Sequence, residues 1–173
     1  RLESITKKEI AEALDRIELG AVTRLTMTDR EREITAYHEA GHLIVMYLTH
    51  PTEDVFKASI VSRGGFLGVV HGVPTEEIHS KDRNTYFANI KVSLAGYLAE
   101  RMKYGVTTEG VSADFANAMA RAHTMVWKFG MGTNGFIGDF TVIPKTQISD
   151  ALKERLNVET EAKVTAEEAR RLF

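Results

Sequence analysis

Apolar residues recur at helical spacing in four stretches of this chain and at strand-like density in one. From Ile5 to Leu19 the apolar positions Ile5, Ile10, Leu14, Ile17 and Leu19 alternate with charges, which predicts an amphipathic helix capped by Thr6 and stopped at Gly20. "TDRE" then reads as a capping box: the Thr28 side chain takes a backbone N–H and Glu31 reaches back to the Thr28 amide. A helix should run from about Asp29 to Thr49 and end before His50-Pro51. "VFKASIVSRGGFLGVVHGVP" is rich in Val, Ile and Phe and broken by Gly64-Gly65 and Pro74, so it predicts two short strands joined by a glycine turn.

Phe87, Ile90, Leu94, Tyr97, Leu98 and Met102 set a helical period from about Lys81 to Tyr104, ended by Gly105. A third core helix follows the polar loop "VTTEGVSAD", with Ser112 as cap and Gly130 as stop. "GMGTNGFIGDF" reads as a glycine-rich loop, and Asp150 to Phe173 as a charged, loosely helical, weakly amphipathic segment. The fold class is therefore mainly α with a small β-element, an α+β arrangement that a two-stranded piece can join only by packing on helices.

Composition narrows the function. With 173 residues the chain is long enough for one domain with a real core, which predicts one main unit. A formal net charge of −2, from 22 basic and 24 acidic residues, gives no bias toward nucleic acid or an anionic membrane. Zero cysteines exclude disulfides, thiolate metal sites and thiol nucleophiles, and suit a reducing compartment. No apolar run reaches the length needed to span a bilayer, and the start, at Arg1 and with no signal-peptide profile, suggests a piece of something longer. Any metal site must use His, Asp or Glu.

"TAYHEAGHLIVMYL" supplies such a site. On a helix His38 and His42 point the same way one turn apart, so both imidazoles can reach one zinc ion, while Glu39 is turned aside as a base rather than a ligand. Zinc lowers the pKa of its bound water toward about 7, and a neighbouring carboxylate can take the proton as the hydroxide attacks an amide carbonyl. Ala40 and Gly41 are small enough to let another element approach closely. The competing reading is two unrelated histidines on a core helix.

A catalytic zinc usually has three protein ligands. Val45 and Leu48 stand where a metzincin would need Gly and His, so the third ligand lies elsewhere. Spacing favours none of His50, His71, His79 or His123. Two carboxylates remain: Glu100 near the apolar face of the second core helix, and Asp114 in the first turn of the third, where an acid also complements the helix dipole. Local reasoning leaves both open.

"TAYHEAGH", "SRGGFLGVVHGVP", "LAGYLAERMKYG" and "TTEGVSADFANAMARAHTMVWKFGMG" together resemble, in order and spacing, the peptidase domain of FtsH-type ATP-dependent zinc metalloproteases, over roughly residues 5 to 135. The resemblance implies that His38, His42 and Asp114 hold one zinc, that Glu39 is the catalytic base, and that Glu100 orients a ligand imidazole through a hydrogen bond. It also makes Leu67, Gly68, Val69, Val70, His71, Gly72 and Val73 an edge strand on which an extended substrate could add. The chain departs from the family pattern at Ala113, at Arg101 and at the inserted Glu109, none of which removes a ligand.

The implied layout is the end of an ATPase lid helix and linker at 1–24, a zinc metallopeptidase domain at 25–145 and a shortened C-terminal helical segment at 146–173. No P-loop occurs, so ATP and Mg2+ belong to a domain outside this chain. The resemblance further implies a homo-hexamer, unfolded or membrane-protein substrates, no nucleic-acid partner, and membrane anchoring of the full-length protein in a bacterial inner or an organelle membrane, with this domain on the soluble side. Two rival readings stand beside it: a proteolytically silent assembly module, and a zinc peptidase with Glu100 as direct ligand.

Overall fold

The structure is a computed structural model that describes residues 4–23, 25–63 and 66–165. Its elements in chain order are α1 (Lys7–Glu18), α2 (Asp29–Thr49), β1 (Glu53–Ser59), β2 (Val69–Pro74), α3 (Arg83–Tyr104), α4 (Ser112–His123) and α5 (Asp150–Ala162). The mainly helical class with one small antiparallel sheet is what the patterning indicates. The Gly64-Gly65 turn lies outside the described residues, as do 166–173.

The expected capping box at α2 forms, and the expected Thr6 cap of α1 proves to be a capping box as well. Glu31 N–H donates to Thr28 Oγ1 at 3.2 Å while Thr28 N–H donates to Glu31 Oε2 at 2.7 Å, and Thr6 and Glu9 repeat the arrangement on α1. These reciprocal bonds satisfy N–H groups that a helix leaves without partners, and so fix where α2 starts. That start sets which way His38 and His42 point.

α3 is the central strut. Its Ile90, Leu94 and Leu98 pack on Ala118, Ala122 and Met125 to form the main core, with Tyr86, Phe87 and Tyr97 at its margin. On another face α3 receives α2, and there Gly41 permits the approach: a Cβ at Gly41 would stand 2.5 Å from the Ala95 carbonyl oxygen and 2.8 Å from Ala99 Cβ. A small residue at this position therefore serves helix packing rather than the metal itself. Gly105, at φ +72, ends α3 in the left-handed conformation that glycine adopts at little cost.

Three sequence expectations need correction. α3 begins at Arg83, because Asp82 is its cap and accepts from Thr85 N–H at 2.8 Å. Ser112 does not cap α4: a 3-10 turn over Glu109–Val111 runs directly into the helix, so Ser112 already has helical backbone angles and Val111 holds the cap position. The expected edge strand from Leu67 starts later, at Val69. α4 continues through a π-helical turn over Thr124–Lys128, stopped by Gly130 at φ +60 as expected.

A second core cluster joins Val126, Trp127, Ile148 and Leu156, seating α5 against the end of α4. Buried Glu159 of α5 accepts from Thr133 and Asn134 N–H and pins the glycine-rich loop. β1 and β2 pair antiparallel with an irregularity between Val55 and Lys57. Buried Asp15 of α1 accepts from Lys57 of β1 and, at 3.2 Å, from Arg63 Nη2, which ties α1 to the β-element.

Candidate metal centre

Three side chains from two helices converge on one point. From α2, His38 Nε2 and His42 Nε2 stand 3.0 Å apart; from the first turn of α4, Asp114 Oδ2 lies 3.0 Å from the former and 3.2 Å from the latter. All three ligand atoms fall within 4.8 Å of one another. The structure thus brings together His38, His42 and Asp114.

The hydrogen bonds behind the rings decide what the Nε2 atoms present. His42 Nδ1 is 2.6 Å from the Val92 carbonyl oxygen, an acceptor only, so that nitrogen carries the proton and Nε2 of the neutral ring offers a lone pair. His38 Nδ1 is 2.7 Å from Glu100 Oε1, which assigns the same tautomer. Glu100 is 1% exposed and is itself held by the loop after α3: its Oε2 accepts from Thr108 N–H at 2.6 Å and its Oε1 from Thr108 Oγ1 at 3.3 Å.

With both rings neutral in this tautomer, two imidazole lone pairs and one carboxylate oxygen face a common centre. Although Asp114 Oδ2 sits at ion-pair distance from both rings, it is buried without a hydrogen-bond partner. A buried unpaired carboxylate oxygen is costly. A divalent cation satisfies all three atoms at once, and two His with one Asp is a donor set that suits zinc.

The metal-free electrostatics reflect the same crowding. Burial disfavours the charged form of His38, but the carboxylates of Asp114 and Glu100 outweigh it and raise its pKa above the usual histidine value. For Asp114 burial acts upward, yet the contacts with His38 and His42 dominate and lower it. Glu39 is raised, because burial outweighs the attraction of His42 and His38. A carboxyl with an elevated pKa beside a cation site is a group able to hold and return a proton.

Two glycines fix this geometry: Gly96, which carried no expectation, and Gly68, which was expected only as part of the edge strand. The His38 ring lies flat against Gly96 of α3, where an added Cβ would come within 2.4 Å of Cε1 and 2.5 Å of Nε2. Gly68, just ahead of β2, lies on Glu39, and a Cβ there would stand 2.6 Å from Oε1 and 2.9 Å from Cδ. A glycine in mid-helix costs about 1 kcal/mol relative to alanine, so Gly96 inside "LAGYLAE" was a readable hint of close approach. The supporting Val92 carbonyl and Thr108 left no such signal.

Of the expected edge strand, Val69 to Val73 are in β2, which among the described residues pairs only with β1, while Leu67 and Gly68 form the approach to it. His71 pairs across to Lys57 and stacks edge-on against Phe56, away from the metal point. His50 is enclosed at the α2–β1 corner, and His79 is exposed.

The family model for Peptidase family M41 matches residues 25–171. The chain belongs to peptidase family M41. Over 140 residues the M41 domain is 37% identical to the ATP-dependent zinc metalloprotease FtsH 3 of Conexibacter woesei, covering 81% of this chain and 18% of that protein. It is 37% identical over 131 residues to the FtsH protease of Borreliella burgdorferi, 75% of this chain and 20% of the relative. The human ATP-dependent zinc metalloprotease YME1L1 is 39% identical over 132 residues, 75% of this chain and 17% of that protein. The chain therefore corresponds to about a fifth of each relative's length, and it is the metallopeptidase domain of an FtsH-type protease. No described helix is long and apolar enough to cross a membrane.

Proposed function

We propose that this domain hydrolyses peptide bonds in unstructured polypeptide chains, with His38, His42 and Asp114 holding one zinc ion and Glu39 acting as general base. The observation that carries the reading is the convergence of two imidazole lone pairs and an otherwise unpartnered Asp114 oxygen on one point. When bound, zinc supplies Lewis acidity that activates a water and polarises the peptide carbonyl. Glu39 takes the proton from the attacking water and returns it to the departing amide nitrogen. Its raised pKa suits both steps, because the carboxyl can hold the proton between them. Glu100 and the Val92 carbonyl keep the two rings in the tautomer that leaves Nε2 free.

The open edge of β2 is the proposed docking strand for substrate: main-chain pairing there tolerates any sequence, which suits a protease that degrades unfolded proteins or extracted membrane proteins. Residues 1–24, with α1, are read as the end of an ATPase lid and linker, 25–145 as the peptidase and 146–173 as its C-terminal helical segment. ATP with Mg2+ belongs to a domain elsewhere in a longer protein, which by the names of its relatives is ATP-dependent. Membrane anchoring and assembly as a homo-hexamer are proposed for that full-length protein.

Cleavage of casein by zinc-loaded protein, with and without chelator, tests the reading. Chelation should abolish cleavage, and Glu39→Gln should abolish it with zinc still bound. Cleavage that persists in metal-free protein contradicts it.

A further inference from the structure

Further along α4 from Asp114 a separate cleft opens between α3 and α4. Asn117, Arg121 and Thr124 follow Asp114 at intervals of three, four and three residues, which places all four on one helix face. With Lys81, Tyr86 and Asn89 from α3 and its approach, they line a cleft of about 420 Å³, within the range of small-ligand sites. α3 forms the floor, and α4 one wall.

Arg121 is half-buried in this cleft. Its Nη1 donates to Ser93 Oγ at 2.8 Å and to the Asn89 carbonyl at 3.3 Å, which fixes the guanidinium against α3. Among the described residues no carboxylate lies within 4.0 Å of it. Lys81, at the cleft's margin, is engaged by Glu53 at 3.1 Å. The cleft thus carries an oriented, uncompensated cation with donors remaining, beside the Asn117 amide and the Tyr86 ring.

A guanidinium held in this way matches a carboxylate, which it can bind through two parallel hydrogen bonds. Seven residues along α4 from Asp114 to Arg121 correspond to about 10 Å. An extended peptide advances about 3.3 Å per residue, so the cleft lies about three residues from the bond being cleaved.

We propose that this cleft is a carboxylate-reading subsite, in which Arg121, supported by Lys81, favours substrates with an Asp or Glu side chain, or a chain terminus, about three residues from the scissile bond. The proposal rests on the peptidase reading above. It gives a protease with otherwise sequence-tolerant strand pairing one place where side-chain identity is sensed.

The test uses the zinc-loaded full-length protein and matched fluorogenic peptides. Glu is compared with Gln at each position within four residues of the cleavage point, and a C-terminal acid with its amide at the same distances. We expect one position, about three residues away, where the charged member has kcat/KM about tenfold higher, the size of a single charge-assisted contact. The ratio should fall toward one in Arg121→Gln, keep part of its value in Arg121→Lys, and fall partly in Lys81→Gln, which leaves the Arg121 contacts to α3 in place. A response only to the C-terminal acid assigns the site to chain ends, and a response to internal Glu assigns it to side chains; either supports the subsite. Affinities of the same pairs for the Glu39→Gln protein should show the same ratio, and this reading stands even if no peptide is cleaved, an outcome that would count against the peptidase reading instead. Equal affinity for charged and neutral members at every position overturns the proposal.

Discussion

His38 Nδ1 lies 2.7 Å from Glu100 Oε1, and Glu100 is itself buried and anchored by Thr108. The carboxylate therefore stands behind the ring, on the side away from the metal point, whereas Asp114 faces Nε2 directly at 3.0 Å. The two acids should respond differently to amide substitution. Glu100→Gln should weaken zinc binding by about 10–100-fold while leaving one zinc per chain at saturation, as expected for a group that orients a ligand. Asp114→Asn should abolish stoichiometric zinc. Competitive chelator titration measures both, and the reverse ranking would make Glu100 the ligand.

Gly96 is the floor on which the His38 ring rests. Gly96→Ala places a methyl within 2.4 Å of that ring in a helix that cannot recede, since the same stretch of α3 carries the Ala95 contact with Gly41. Relieving such an overlap typically costs about 1–3 kcal/mol. The variant should keep its helical circular dichroism, unfold at lower temperature and bind zinc more weakly. Unchanged zinc affinity would show that the ring is not seated as described.

Gly68→Ala presses on the base rather than on a ligand. The new methyl would meet Glu39 Oε1 at 2.6 Å, and since Glu39 must swing away or the strand must retreat, kcat should fall by about tenfold or more, part of the 10²–10⁴ that a positioned base contributes. Zinc content should stay at the wild-type level. Steady-state kinetics beside metal analysis separate this result from a ligand defect, and undiminished kcat would contradict the placement of Gly68.

His50 lies at the corner between α2 and β1 with a side chain 0% exposed, and its Nδ1 accepts from Glu53 N–H at 2.9 Å. Burial lowers its pKa; Glu53 opposes this, while the cations Lys81 and Arg121 add to it. The folded protein thus holds this ring neutral where the unfolded chain, with a pKa of about 6.5, would protonate it. Its contribution to stability is complete above about pH 6.5 and is lost as pH falls through that value toward the folded pKa. Proton NMR of the metal-free protein should show His50 titrating below the ordinary histidine range, and titration at or above it would refute the assignment.

Much of the scaffold was legible in the sequence because its signals are local. The Thr28/Glu31 box, the apolar period of α3 and the terminating glycines each depend on residues within one or two turns, and they locate α2, α3 and the end of α4. The pairing of His38 with His42 is likewise a property of one helix. Asp114 is not: as an acid in a first turn it satisfies the helix dipole equally well, and only the antiparallel packing of α4 on α3 brings it to the histidines. Ser112 misled for a related reason, since a 3-10 turn entering α4 removes the cap position that serine usually fills. Gly68 and Gly96 touch residues of a distant segment, so although a mid-helix glycine hints at close approach, the partners Glu39 and His38 emerge only once the chain is folded.

The central claim is that His38, His42 and Asp114 share one metal ion. A crystal structure of the zinc-loaded protein with anomalous diffraction recorded across the zinc absorption edge tests it directly. The account predicts a single zinc peak within about 2.0–2.2 Å of His38 Nε2, His42 Nε2 and an Asp114 carboxylate oxygen, with Glu100 on the far side of the His38 ring. A peak that Asp114 does not ligate, or one bound by Glu100, would contradict it.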